Sequence, residues 1–308
     1  MAEPAPLHDY HQLTPSGGEA WYVETEDARR IRFAVWQGGE NGTALVFPGR
    51  SEPIEKYSEP VARLLLMGFS VLVIDWRGHG LSARAAHNPM LGHVDSFGEY
   101  QLDLKAVMQS DKMRTLSKPL VLISHSTGCA IGLQAMQHGL EVERAVFSSP
   151  FWGAPGSGLL HRIVNAVLWP AVMLGLGGSR FPFSGSDPYL ASEAFEGNVL
   201  TSCPDQYDAQ ISFQIDNPKL QLGGFSLRWI LAAQRCFRDI RNLPLPTQPV
   251  LTILAGDENL VSVKAIREVG GAFPNGRFVE VEGGRHELFQ ETEEIRAVLW
   301  QELESFLS

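Results

Sequence analysis

Residues 121–130 read VLISHSTGCA, and the fold turns on what Ser126 does there. The pattern is small-x-Ser-x-Gly, with Ser124 where glycine is commoner, then Ser126 and Gly128. Alone, it also describes an ordinary helix N-cap, because serine at a helix start accepts from backbone N–H groups. Context separates the two readings. A nucleophilic serine on a strand-to-helix turn needs a buried strand before it, a helix behind it, and an acid and a histidine at later strand ends. PLVLIS supplies the strand, and Thr127 to His138 supplies the helix. Small residues at 124 and 128 suit a turn where strand and helix nearly touch and the serine backbone is strained.

Outward from this stretch, short β-branched runs recur: TALVFPG, FSVLVIDWRG, ERAVFSSP, PVLTILAGDE and GRFVEVEGG, each ending in Gly, Pro, Ser or Asp. Near-continuous apolar runs of this kind are those of parallel strands covered on both faces. Helix-like segments lie between them at Glu59 to Met67, Phe97 to Met113, Val261 to Phe273 and Glu291 to Leu307. Strand and helix therefore alternate, which predicts an α/β fold: a mostly parallel sheet flanked by helices. EAWYVETEDARRIRFAVWQ, residues 19–37, alternates at the strand period around a polar turn and predicts an antiparallel hairpin ahead of that core. The alternation stops after Pro150 and resumes at Pro249. A structureless loop of that length is implausible, so the middle segment reads as an inserted subdomain.

The chain has 308 residues and 44% hydrophobic content, enough for one large α/β core. Its formal net charge of -10 argues against a nucleic-acid partner, which lysine and arginine clusters would bind. Three scattered cysteines, Cys129, Cys203 and Cys236, give neither a disulfide framework nor a zinc spacing, and no metal or cofactor is expected. The N-terminal MAEPAPLHDYHQ lacks a basic region followed by an apolar run, so the expected location is the cytoplasm. The most apolar stretch, Leu159 to Leu176, is broken by polar residues and Pro170. It reads as helices with one very apolar face, compatible with transient contact at the inner membrane surface but not with spanning it.

A serine hydroxyl needs an imidazole as base, and the imidazole needs an acceptor that fixes its tautomer. Asp257 follows strand PVLTILAG, and His286 lies in GGRHE after strand RFVEVE. Just past strand C-termini, such residues gather at one sheet edge. The order Ser, Asp, His is that of α/β-hydrolases. The expected catalytic set is therefore Ser126, Asp257 and His286, with Glu258 facing solvent and Asp75 structural. His79, His87, His93 and His125 are read as solvated or core histidines. The oxyanion formed on attack needs two N–H donors: that of Thr127, after the nucleophile, and that of Arg50, in the FPGRSEP loop after TALVF.

Taken together, GFSVLVIDWRGHGLS, SHSTG, AGDENLV and GGRHE resemble the α/β-hydrolase superfamily across nearly the whole chain. FPGRSEPIEKY, GHVDSFGEYQLDL and LQLGGFSLRW further resemble its bacterial lysophospholipase branch, related to monoacylglycerol lipases. Pro48 and Ser124 depart from residues common in that family. The resemblance implies the same five site residues, a core of residues 1–153 and 245–308, and a lid over residues 154–244. It also implies a serine carboxylic ester hydrolase acting on single-chain lipids, with monoacylglycerols, small esters or amides as alternative substrates and a non-catalytic binding scaffold as an alternative of another class. The apolar residues Leu159, Leu160, Ile163, Val167, Leu168, Trp169, Val172, Met173 and Leu174 are expected either to line an acyl slot or to fasten the lid to the core.

Overall fold

The computed structural model describes residues 1–85, 88–156, 158–185 and 193–308, with side chains for all of these except 158–163 and 165. Among the described residues there are nine strands, β1 (Glu3–Ala5), β2 (Glu19–Glu24), β3 (Arg30–Trp36), β4 (Thr43–Phe47), β5 (Ser70–Ile74), β6 (Leu120–His125), β7 (Arg144–Ser148), β8 (Val250–Ala255) and β9 (Gly276–Val281). They form one sheet in the order β1-β2-β3-β5-β4-β6-β7-β8-β9. The hairpin read from residues 19–37 is there, pairing Ala20 with Ala34 and Tyr22 with Arg32, and β3 joins β5 antiparallel. From β5 onward all pairings are parallel.

The helices are α1 (Ser58–Leu66), α2 (Gly98–Met108), α3 (Thr127–Gln137), α4 (Gly158–Met173), α5 (Pro204–Asp216), α6 (Leu227–Asn242), α7 (Val263–Gly270) and α8 (Glu293–Leu307). Two apolar layers explain the continuous strand runs. Leu45, Phe47, Leu72, Leu122 and Phe147 face one layer with α2 and α3, while Val46, Val71, Val73, Ile123 and Ile253 face the other with α1 and α8. Neighbouring residues on each strand thus point to opposite faces, and both faces are buried.

The chain between β7 and β8 leaves the sheet, but not all of it stands apart. Trp229, Ala232, Ala233, Cys236, Phe237 and Ile240 form a helical stripe of α6 that joins the core layer around α3. Its start is capped by Ser226, whose hydroxyl accepts from Trp229 N at 3.1 Å. The segment of residues 154–244 therefore includes a helix that packs into the core layer, and an amphipathic core helix carries the same apolar periodicity as a helix lying elsewhere.

Asp75, read as structural, is buried without exposure beside Arg32, whose Nε lies at 2.7 Å, and accepts from Ile54 N at 3.0 Å and Leu81 N at 2.8 Å. Arg32 also pairs with Glu55 at 2.8 Å. Gly80 follows from this cluster: its φ is +48°, and an added Cβ would lie 1.8 Å from Asp75 Oδ2. The RGHG turn therefore exists to wrap a buried carboxylate.

Candidate active site

Ser126 follows the last residue of β6 with φ 50° and ψ −117°, a conformation that costs a non-glycine residue on the order of 1–3 kcal/mol. It persists because both backbone groups are held: Ser126 N–H donates to Ser148 O at 3.0 Å, and its carbonyl accepts from Cys129 N and Phe151 N, each at 3.0 Å. Gly128 is needed two residues on, since a Cβ there would sit 2.1 Å from Phe47 O. That approach of α3 to the end of β4 brings the 48–52 loop over the serine, and a Cβ on Gly49 would reach within 3.1 Å of Ser126 Cβ.

His286, in the loop after β9, places Nε2 2.9 Å from Ser126 Oγ. Its Nδ1 lies 2.7 Å from a carboxylate oxygen, and that oxygen belongs to Glu258 rather than Asp257. Both expectations for this pair of acids are corrected. Asp257 is exposed and gives only its backbone, donating N–H to Gly284 O at 2.9 Å. That bond ties the turn after β8 to the histidine loop, turning the next side chain inward beneath it. Glu258 is buried, and its second oxygen accepts from Leu260 N at 2.8 Å and Val261 N at 3.2 Å. Burial pushes this carboxyl up, but the His286 ring and the two N–H donors outweigh it and hold Glu258 below the usual glutamate range. An ionised Glu258 keeps the proton on Nδ1, which leaves Nε2 free to accept from the Ser126 hydroxyl.

Thr127 opens α3, so its N–H has no partner inside the helix. No acceptor among the described residues engages the Arg50 N–H. The loop carrying Arg50 is braced by groups the sequence reading did not single out. Glu52 accepts from Gly49 N at 2.5 Å and from Tyr57 OH at 2.7 Å, and Trp76 Nε1 donates to Pro48 O at 3.1 Å. Lys56 bridges Glu52 at 2.7 Å and Glu287, the neighbour of His286, at 2.6 Å. Burial opposes ionisation of Glu52, yet the Lys56 charge holds it down to about 2. The four-residue spacing of Glu52 and Lys56 is visible in EPIEKY; their joint contact with Glu287 is a product of the fold.

The histidine loop is also stitched to the 198–210 segment of the excursion. Glu287 N donates to Leu200 O at 2.8 Å, Gln210 Nε2 donates to Glu287 at 3.0 Å, and Arg285 Nη1 reaches Asn198 O at 3.1 Å and Thr201 O at 3.0 Å.

Of the other histidines, His125 and His79 are buried, and burial holds each down to about 4. The His125 ring packs 4.8 Å from that of His286. His93 Nδ1 lies 2.8 Å from Ser226 Oγ, and His87 lies outside the described residues. Between pH 6.5, the ordinary value, and pH 4, the unfolded chain binds protons that folded His79 and His125 refuse. Their contribution to stability is thus complete above that window and lost as the pH falls through it, by about 2 kcal/mol each at pH 5. Urea unfolding at pH 7.5 and pH 5 measures this, and His79→Gln is expected to remove about half of that loss; an equal loss in the variant would refute the assignment.

A cavity of about 490 Å³ opens onto Ser126 and His286. Phe151, Val164, Phe181, Phe225, Trp229 and Ile230 are among its apolar lining. Of the apolar residues expected either to line a slot or to fasten the lid, Val167, Trp169, Met173 and Leu174 are exposed, and Leu168 is buried. The side chains of Leu159, Leu160 and Ile163 lie outside those described. A sequence stripe reveals that a helix is apolar, not which way it faces. No helix among the described residues is long and apolar enough to cross a membrane.

A parallel sheet with its serine on a strained strand-to-helix turn, next to an imidazole at a later strand end, defines an α/β-hydrolase of the serine type. Residues 39–293 match the family described as Serine aminopeptidase, S33, and the chain belongs to that family. It is 29% identical over 270 residues to a probable lysophospholipase L2 of Haemophilus influenzae, covering 86% of this chain and 83% of that protein. It is 27% identical over 308 residues to lysophospholipase L2 of Escherichia coli, covering 94% and 87%. Among solved structures, a soluble variant of monoglyceride lipase from Saccharomyces cerevisiae superposes with a TM-score of 0.72 at 17% identity, over 99% of each chain.

Proposed function

We propose that the protein is a lysophospholipase: a serine carboxylic ester hydrolase that releases the acyl chain of a single-chain lipid through an acyl-enzyme. Ser126 Oγ attacks the ester carbonyl as His286 Nε2 takes its proton, Glu258 stabilises the imidazolium, and the N–H groups of Thr127 and Arg50 receive the oxyanion. His286 then protonates the departing alcohol and activates the water that frees the acid. Residues 154–244 act as the cover.

The observation that carries the substrate reading is the apolar cavity ending at Ser126. Its roughly 490 Å³ is the size that encloses one small ligand. The lysophospholipase names of two relatives support the same class.

Measuring kcat/KM for C2, C8 and C16 esters, and for a lysophospholipid against its diacyl parent, tests it. Activity is expected to rise with chain length, each buried methylene contributing up to about 0.8 kcal/mol, and the diacyl lipid is expected to react poorly. A preference for the C2 ester, or equal rates on one-chain and two-chain lipids, would defeat the assignment. The cavity also makes a positional forecast. Val164→Asp, inside it, should cost the C16 ester about tenfold or more relative to the C2 ester, since a charge must then be buried beside the chain. Met173→Asp, on the outer surface, should leave that ratio unchanged.

A further inference from the structure

Two cations line the cavity. Lys56 is neutralised by Glu52 and Glu287. Arg50 has no carboxylate within ion-pair distance among the described residues. Its Nη2 donates to the Gly223 carbonyl, and its guanidinium carbon lies 5.1 Å from the Phe225 ring centre and 5.8 Å from that of Trp229. Its Nε is buried with no hydrogen-bond partner. The neighbours that feel its charge bring no anion: Tyr100 stays protonated, and His79, also lacking a partner at its buried Nε2, stays neutral at physiological pH. Burial lowers the Arg50 guanidinium only to about 10, so it remains charged where such enzymes work.

Leaving a charge and a hydrogen-bond donor short of partners is unfavourable, and most buried groups avoid it. The exception here lines the cavity beside Ser126, on the residue whose own N–H the proposed mechanism assigns to the oxyanion. From that Cα, the arginine chain reaches its guanidinium through as many bonds as separate the ester oxygen of a glycerol lipid from the phosphorus. A guanidinium is also suited to a phosphate, whose oxygens match its forked donors.

We propose that the Arg50 side chain anchors the anionic phosphodiester of the substrate headgroup, and so selects a single-chain phospholipid over an uncharged monoacylglycerol. This rests on the lipid-hydrolase reading above and supplies its headgroup chemistry. The Phe225 and Trp229 faces hold the guanidinium plane in place until the phosphodiester arrives.

The test reads a ratio, so that any disturbance of the oxyanion loop cancels: kcat/KM on a lysophosphatidylglycerol divided by kcat/KM on the monoacylglycerol with the same acyl chain. Wild type is expected to favour the phospholipid at least tenfold, and Arg50→Met to lose that preference. An Arg50→Met enzyme in which both substrates fall together, the ratio unchanged, would overturn the proposal and make Arg50 a strut to Gly223.

A second measurement needs no turnover and does not depend on that variant folding. Calorimetric titration of Ser126→Ala with monomeric dodecylphosphocholine, dodecylglycerol and dodecanoate should show the phosphodiester binding at least tenfold tighter than the other two. Equal affinity for dodecylglycerol would overturn the anchor. Equal affinity for dodecanoate would overturn the headgroup reading by assigning the site to the released acid. Tight phosphodiester binding without ester hydrolysis by wild type would instead defeat the hydrolase reading and leave the anion site standing.

Discussion

Ser126→Ala is expected to lose about a million-fold in kcat while folding normally. The size follows from the way linked catalytic groups act as one unit: without the hydroxyl there is no covalent path, and binding and the oxyanion donors alone provide only the remainder. Folding should survive because the turn is held by backbone bonds from Ser126 to Ser148, Cys129 and Phe151, none of which uses the hydroxyl. Labelling with a fluorophosphonate should be stoichiometric in wild type and absent in the variant. Residual esterase activity of even a tenth, with a wild-type melting curve, would move the nucleophile elsewhere.

The second large effect separates two adjacent acids. Glu258→Gln is expected to lower kcat by about ten-thousandfold, the scale seen when the orienting carboxylate of a triad becomes an amide. The 2.7 Å contact to His286 Nδ1 explains why. An amide can present N–H to Nδ1, which moves the ring proton to Nε2 and removes the acceptor that Ser126 needs. Asp257→Asn, at an exposed side chain whose backbone alone is bonded, should stay within about twofold of wild type. The reverse pattern would restore Asp257 to the site and make the Glu258 contact incidental.

That pair marks the border of what the chain reveals before folding. The parallel strands were legible because double-sided burial leaves unbroken apolar runs, as in VLIS and VLTILA. The meeting of Ser126 and His286 was legible because strand ends gather reactive groups at one edge. Asp257 and Glu258 both sit at such an end, and bonds made in the fold, from Asp257 N to Gly284 O and from Leu260 N and Val261 N to Glu258, decide which of them faces the ring. The same limit explains α4 and α6. Each carries an apolar stripe, yet Trp169 and Met173 look outward while Trp229 and Phe237 lie in the core. Periodicity gives a stripe its width and leaves its direction to packing.

The stitching of the histidine loop to residues 198–210 gives the segment between β7 and β8 a bound edge. Like a page sewn along its spine, the segment is held along that line, where Leu200 and Gln210 touch the residue next to His286. The placing of that segment and the alignment of His286 are therefore mechanically joined. Whatever load falls on that edge is passed to the loop whose imidazole stands 2.9 Å from the serine hydroxyl.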